Sequence, residues 1–429
     1  MIASSSPHAV LVVGAGPAGA TAARALALAG IPVLLIDRAV FPRNKPCGGG
    51  VSLRVLRRFP YLEAQLSRIA THTVGRLYLE GPDGESTVIE SDGPAALMIR
   101  RVEFDALLVS LAREAGARMV SGVDIVQARE EPDTVTLTAR DGRVFRAPLV
   151  IAADGVHSVI ARRLGLNSGW PASAVALDMM EETPRGDLRD VDPSTMWVSY
   201  GFNPEGDAAV KGKSAPEGYA YIFPKRDHVN VGIGYVLSHY RQTIAKAPYD
   251  LQRALVDRLR DGGVVVGESV RKNFTPFLIP VGGPLARPGR GRVLLAGDAG
   301  GFVNGFTAEG IYYAMVSGEL AARAVVDTAR TRDLARRYRR ACNDEIGREL
   351  RDSVRVQRYL FADRRRIARI IAGASREAVT TRVLLDWLVG RVPYRLARRR
   401  VIRRAPLMAA RLAWDAIAKK PIVPTPQGH

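Results

Sequence analysis

Short apolar runs separated by glycine-rich punctuation organise the start of this chain. Residues 9–13 form one such run, and residues 33–36 form a second that ends at Asp37. Runs of this length bounded by turn residues predict buried strands. Between them stand Val12-Val13-Gly14-Ala15-Gly16-Pro17-Ala18-Gly19 and an alanine-rich stretch, 18–29, with no helix breaker inside except Gly19. Strand, tight turn, helix, strand, acid is the order of a dinucleotide-binding βαβ unit. Gly14 permits the sharp turn, Gly16 lets the backbone approach a pyrophosphate, and Gly19 lets helix and strand pack closely. Pro17 suits the first helical turn, and the free N–H groups there favour phosphate. Asp37 is close to the spacing expected of an acid on a ribose hydroxyl.

The pattern then changes along the chain. Residues 73–90 alternate apolar and polar around Gly81-Pro82-Asp83-Gly84, which predicts a hairpin. A helix is predicted from Arg101 to near Gly116, and strands over 119–125, 134–139 and 149–153. From about 167 to 283 the pattern is mostly β, with strands over 219–224 and 229–236. Residues 293–296 form one more buried strand, and everything after Ala308 is helical in pattern. An i,i+4 series through Leu334, Tyr338, Cys342, Ile346, Leu350 and Val354 predicts an amphipathic helix.

These elements predict an α/β plus β fold. A Rossmann-like nucleotide-binding domain (1–72, 97–166 and 284–329) is interrupted by a β-rich substrate domain (73–96 and 167–283). An α-helical, basic C-terminal region (330–429) follows. At 429 residues the chain has room for two or three cores. Its 2 cysteines support neither an iron–sulfur cluster nor a four-cysteine zinc site, and they fit a reducing compartment. His8, His157 and His228 are scattered and predict no metal site. Residues 1–7 lack a basic n-region, so no signal peptide is expected. No apolar stretch reaches the ~18 residues of a spanning helix.

Charge changes the picture only at the end. The net charge is +19, and residues 330–429 hold 26 Lys and Arg against 9 Asp and Glu, a net of +17. Part of this lies in Arg398-Arg399-Arg400-Val401-Ile402-Arg403-Arg404, near the apolar Leu384-Leu385-Asp386-Trp387-Leu388-Val389. A solvated helix face is one reading, and contact with an anionic membrane is the other. Nucleic-acid binding is not expected, because no recognised module or aromatic platform accompanies the charge. The localisation implied is cytoplasmic, with peripheral attachment to the cytoplasmic face of a membrane as the second reading.

Two later segments join the first glycine motif. Ala153-Asp154-Gly155 ends one strand and Leu294-Leu295-Ala296-Gly297-Asp298-Ala299-Gly300 ends another. Asp298 has two readings, a ligand for sugar or ribityl hydroxyls and a helix cap. Just downstream, residues 308–315 begin a helix whose first N–H groups can stabilise negative charge on a bound ligand. Together, and with Arg101 four residues before Asp105, these segments resemble p-hydroxybenzoate-hydroxylase-like FAD proteins. Within them the chain most resembles the geranylgeranyl reductase family. Pro42-Arg43-Asn44-Lys45-Pro46-Cys47-Gly48-Gly49-Gly50 is similar to that family's flavin-contacting cysteine–glycine loop. Gly218-Tyr219-Ala220-Tyr221-Ile222-Phe223-Pro224, followed by Gly232-Ile233-Gly234, resembles its Tyr-x-Trp-x-Phe-Pro and Gly-x-Gly signature. The resemblance covers roughly residues 9–325. It departs at Tyr221, where tryptophan is usual, at Gly305, where proline is common, and at Ala308, where glycine is common.

The resemblance implies FAD as cofactor, held at Gly14, Gly16, Ala18, Gly19, Asp37, Arg38, Cys47, Gly48, Gly50, Arg101, Asp154, Asp298, Gly310 and Ile311. Asp124 joins them through its backbone, near the adenine. Tyr219, Tyr221 and Phe223 would line the substrate pocket. Cys47 and Tyr221 are the candidate catalytic residues, with simple packing the competing role for each. The activity implied is saturation of carbon–carbon double bonds in isoprenoid chains by hydride from reduced flavin. The electron donor is NAD(P)H or a protein, since no second dinucleotide fingerprint is present. A flavin monooxygenase or halogenase is the rival reading, although Trp170 and Trp197 stand alone and form no Trp-x-Trp-x-Ile-Pro motif. A third is a membrane- or partner-binding protein that keeps FAD for structure.

Overall fold

The computed structural model describes residues 8–202, 217–244, 246–327, 331–376 and 381. The continuous apolar runs become a six-stranded sheet in the order Gly289–Arg290, Val293–Leu295, Leu149–Ala152, Val10–Val13, Val33–Asp37, Arg118–Ser121. All neighbours are parallel except the Gly289–Arg290 edge. A parallel strand covered on both faces has no polar side to show, and its period of two divides its side chains between two cores. Val10 and Val12 join the helices Pro17–Leu28, Arg101–Glu114 and Ile311–Val326. Leu11 and Val13 join the antiparallel strands Ile125–Glu130, Val135–Ala139 and Val144–Ala147 on the other face.

The second sheet has seven strands, ordered Phe274–Ile279, Ala176–Pro184, His228–Val236, Gly218–Pro224, Thr195–Ser199, Arg76–Glu80, Ser86–Glu90. One face is covered by the helix Pro248–Asp261 through Leu251, Leu255, Val256 and Leu259. That helix lies within the stretch predicted as mostly β, and its apolar residues carry a helical spacing. Two other expectations need correction. Residues 119–125 are not one strand: Arg118–Ser121 ends before Gly122, and Ile125 starts a strand of a different sheet. The hairpin begins at Arg76 rather than at 73, because Thr71–Val74 pairs with Ala96–Ile99 in a separate three-stranded sheet.

The described part of the C-terminal region packs into both halves. Leu334, Tyr338, Cys342, Ile346, Leu350 and Val354 are all buried. On a 3.6-residue helix a strict four-residue spacing drifts by about 40° per step. A π-helical turn over Asn343–Gly347, between the helices Thr331–Cys342 and Arg348–Phe361, takes up that drift. Leu360, Phe361, Ile367 and Ile371 then cover the second sheet against Leu77, Leu79 and Val198. Arg336, Arg337, Arg339, Arg340, Arg348, Arg351, Arg355 and Arg358 all face solvent. The 384–389 and 398–404 clusters lie outside the described residues.

Candidate active site

The first glycine turn is held from behind. Gly14 has φ +95°, and a Cβ there would stand 2.2 Å from the Ala153 carbonyl oxygen. Asp37, at the end of its strand, accepts the Ala15 N–H at 2.6 Å and the Ala39 N–H at 2.7 Å. Its carboxylate therefore fixes the loop as well as facing the cavity. Gly16 begins the Pro17–Leu28 helix with no side-chain cap, so the first N–H groups remain available to an anion.

These residues open onto a single cavity of about 730 Å³ between the two sheets. Every site residue predicted from sequence lines it except Gly19, which lies beneath the turn and packs under the Gly14 carbonyl. The cofactor-contacting role assigned to Gly19 is therefore one of close packing. The Asp154 carboxylate is taken up by the Ser158 hydroxyl and by the Val159 and Ile160 N–H groups at the start of the helix Val159–Arg163. Asp124 gives its carboxylate to Arg140 and its carbonyl to the Arg140 N–H. Arg38 sits exposed at the rim.

Deeper in, the cysteine–glycine loop is fastened to the second sheet. Lys225 Nζ donates to the Gly48 carbonyl at 2.5 Å, and Asn230 Nδ2 donates to the Cys47 carbonyl at 3.2 Å. Arg101 makes two hydrogen bonds of 2.7 Å to Asp105 and also faces the Cys47 thiol. Lys45 lines the cavity with its ammonium 3.0 Å from the centre of the Phe277 ring. Burial, with Arg101 adding to it, pushes Lys45 down to about 8.

Across from this loop, Asp298 makes no side-chain hydrogen bond or ion pair among the described residues. That favours the ligand reading over the capping one. The Ile311–Val326 helix starts beside it at Gly310, again with no side-chain cap. Ala308 holds φ +55°, the left-handed conformation that explains why glycine suits this position. Glu309 Oε1 is buried without a hydrogen-bond partner, and burial pushes its carboxyl up to about 7.

Beyond the loop the cavity becomes aromatic. Tyr200 stacks on Phe306 with ring centres 5.9 Å apart, and Phe361 adjoins both. Tyr219 donates to the Thr307 carbonyl at 2.7 Å. Tyr221 packs on Phe223 at 4.7 Å and donates to Asp178, 3.1 and 3.2 Å from its two oxygens. The Gly-x-Gly segment makes this possible, since a Cβ on Gly232 would stand 2.5 Å from the Tyr221 hydroxyl. Burial pushes the Asp178 carboxyl up to about 7, with Tyr221 and Lys45 pulling the other way.

Asp178, Lys45, Glu309 and Gln357 were not singled out from the sequence. Asp178 carried a signal, an acid amid Leu177, Met179 and Met180 in a strand, because interior carboxylates are rare unless partnered. Gln357 carried none, since its place depends on how the last helices fold back.

The two uncapped helix starts, the close backbone approach at Gly14 and the unpaired Asp298 fit a dinucleotide with a sugar-alcohol arm, as in FAD. A family model described as an FAD binding domain matches residues 8–264. The chain is 33% identical over 350 residues to a menaquinone reductase of Mycobacterium tuberculosis, covering 79% of this chain and 80% of that one. It is 30% identical over 367 residues to a chloroplastic geranylgeranyl diphosphate reductase of Nicotiana tabacum, covering 82% and 70%. A solved geranylgeranyl bacteriochlorophyll reductase-like protein from Thermoplasma acidophilum has the same fold. Its TM-score is 0.75 at 23% identity, over 93% of this chain and 99% of that one.

Proposed function

The chain belongs to the geranylgeranyl reductase family of FAD-dependent oxidoreductases, and from that premise we propose that it saturates double bonds of an isoprenoid chain carried on a lipid or quinone. The observation that carries this reading is the aromatic chamber opening directly off the cofactor end of the cavity. An isolated prenyl alkene offers no polar handle, so it is held by packing and by exclusion of water.

We assign the residues to roles as follows. Gly14, Gly16 and the Pro17–Leu28 helix start would hold the pyrophosphate, and Asp298 the ribityl hydroxyls. The Cys47–Gly50 loop and the Ile311–Val326 helix start would flank the ring. Bound FAD, once reduced, supplies a hydride. The protein must then exclude water and provide a proton to the second alkene carbon. The electron donor is NAD(P)H or a protein.

We further propose that the substrate is taken from an anionic membrane surface, on the strength of the +17 charge of residues 330–429. No helix among the described residues is long and apolar enough to cross a membrane. The reductase reading is tested by mixing chemically reduced holoprotein with a prenyl substrate in the absence of oxygen. Reoxidation of the flavin that depends on the prenyl compound supports it, and a flavin that stays reduced counts against it.

A further inference from the structure

Tyr221 and Asp178 form a buried pair that faces the substrate chamber, with 4% and 6% of their surfaces exposed. Asp178 lies mid-strand, and the residues beside it on the two flanking strands are Gly234 and Phe277, neither of which carries charge. Lys45, on the cysteine–glycine loop, is the charged group that faces it. Tyr221 in turn faces Cys47 and Tyr219. The hydroxyl sits within hydrogen-bond reach of both carboxyl oxygens, so a proton on either oxygen has a direct path to the phenol.

We propose that Asp178 is the proton reservoir of the reaction, passing its proton through the Tyr221 hydroxyl to the alkene carbon that the hydride does not take. This rests on the reductase reading above. In the step, the alkene π bond breaks and one C–H bond forms with the hydride, which brings both electrons. The second C–H bond forms with the proton released as the Tyr221 O–H bond breaks. The Asp178 O–H bond then breaks to restore the phenol, and the carboxylate regains a proton from water. Alkene, hydride and proton give the saturated product, with the protein unchanged.

The chemistry of the pair suits the task. Burial, and then Asp178 itself, push the Tyr221 phenol well above 10, so it gives up a proton only as another arrives. Asp178, pushed up to about 7 by burial, still holds a proton in mildly acid to neutral solution. Tyr221 thus touches the substrate chamber, whereas Asp178 acts through it as a positioning and proton-storing residue. Glu309 and Lys45 are also displaced toward neutral pH, yet neither makes a side-chain hydrogen bond to a hydroxyl that lines the chamber.

The test uses FAD-loaded full-length protein, its Asp178→Asn and Tyr221→Phe variants, and a prenyl alcohol as probe. Carbon-13 NMR of labelled aspartate is recorded from acid to alkaline pH, and single-turnover saturation is followed over the same range. One aspartate should titrate near neutral pH in wild type and vanish in Asp178→Asn. The single-turnover rate should fall as pH rises through that midpoint. Asp178→Asn should lose this limb and slow by about 100-fold or more, and Tyr221→Phe should slow alike while keeping the neutral aspartate titration. FAD content should not change in either variant. Wild-type rate and pH profile in both variants would overturn the proposal, as would the absence of any aspartate titrating near neutral. Failure of wild type to saturate the probe sinks the reductase reading instead, and the NMR titration still decides whether Asp178 stores a proton.

Discussion

The Ser353 hydroxyl accepts the backbone N–H of Gly305 at 2.8 Å, which ties the C-terminal helix Arg348–Phe361 to the turn beside the cofactor end of the cavity. The same turn leaves no room for a side chain. A Cβ at Gly305 would stand 2.8 Å from the Val281 carbonyl and 2.8 Å from Val354 Cγ2. Proline has no N–H to give and could not take the place of Gly305 beneath that helix. Gly305 and the packing of the tail helix therefore depend on each other. Ser353→Ala is expected to leave a buried N–H unpaired and to cost ~1–3 kcal/mol in chemical unfolding of the holoprotein. Wild-type stability in that variant would show that the tie is dispensable.

Ala308 is the second departure with a visible consequence. Its φ of +55° places a Cβ where an L-residue is strained by roughly 1–2 kcal/mol, offset in part by the smaller chain entropy of alanine. Ala308→Gly should raise the melting temperature slightly and leave FAD content unchanged. A lower melting temperature would mean that the surrounding loop, with Ala308 N–H on the Asn304 carbonyl, gains more from order than it loses to strain.

Asp298 lines the cavity with no hydrogen-bonding partner of its own among the described residues. Asp298→Ala should weaken FAD retention while the apoprotein still folds. A lost charge-assisted hydrogen bond is worth ~1.5–3 kcal/mol, or roughly one to two decades in affinity. Titration of apoprotein with FAD measures it directly, and equal affinities in wild type and variant would remove Asp298 from the site.

Much of this arrangement was legible before folding, and the limits have physical causes. Parallel strands buried on both faces leave continuous apolar runs, so the first sheet could be read from residues 10–13, 33–37 and 149–152. The glycine turns were legible because backbone contact at Gly14 tolerates no Cβ. The helix Pro248–Asp261 was missed among strands, since its apolar residues are few and the sheet around it dominates the pattern. The Tyr221–Asp178 pair was missed for a different reason. The two residues are 43 positions apart and meet only because the intervening strand carries Gly232 opposite Tyr221.

The basic tail is expected to favour anionic over neutral liposomes, with binding that weakens as salt rises, because each basic residue at such a surface contributes about 1 kcal/mol and is screened beyond ~8 Å. Replacing Arg398, Arg399, Arg400, Arg403 and Arg404 with glutamine should reduce co-sedimentation and leave FAD binding intact. Wild-type protein that ignores anionic liposomes would return these arginines to the role of a solvated face.

Anaerobic product analysis tests the central claim most directly. FAD-loaded protein, fully reduced and free of oxygen, is incubated with prenylated quinone or lipid, and the product is weighed by mass spectrometry. The expected product is heavier by H2 for each bond saturated. A substrate that is unchanged without oxygen, yet gains an oxygen or halogen atom once air and halide are admitted, would contradict the account.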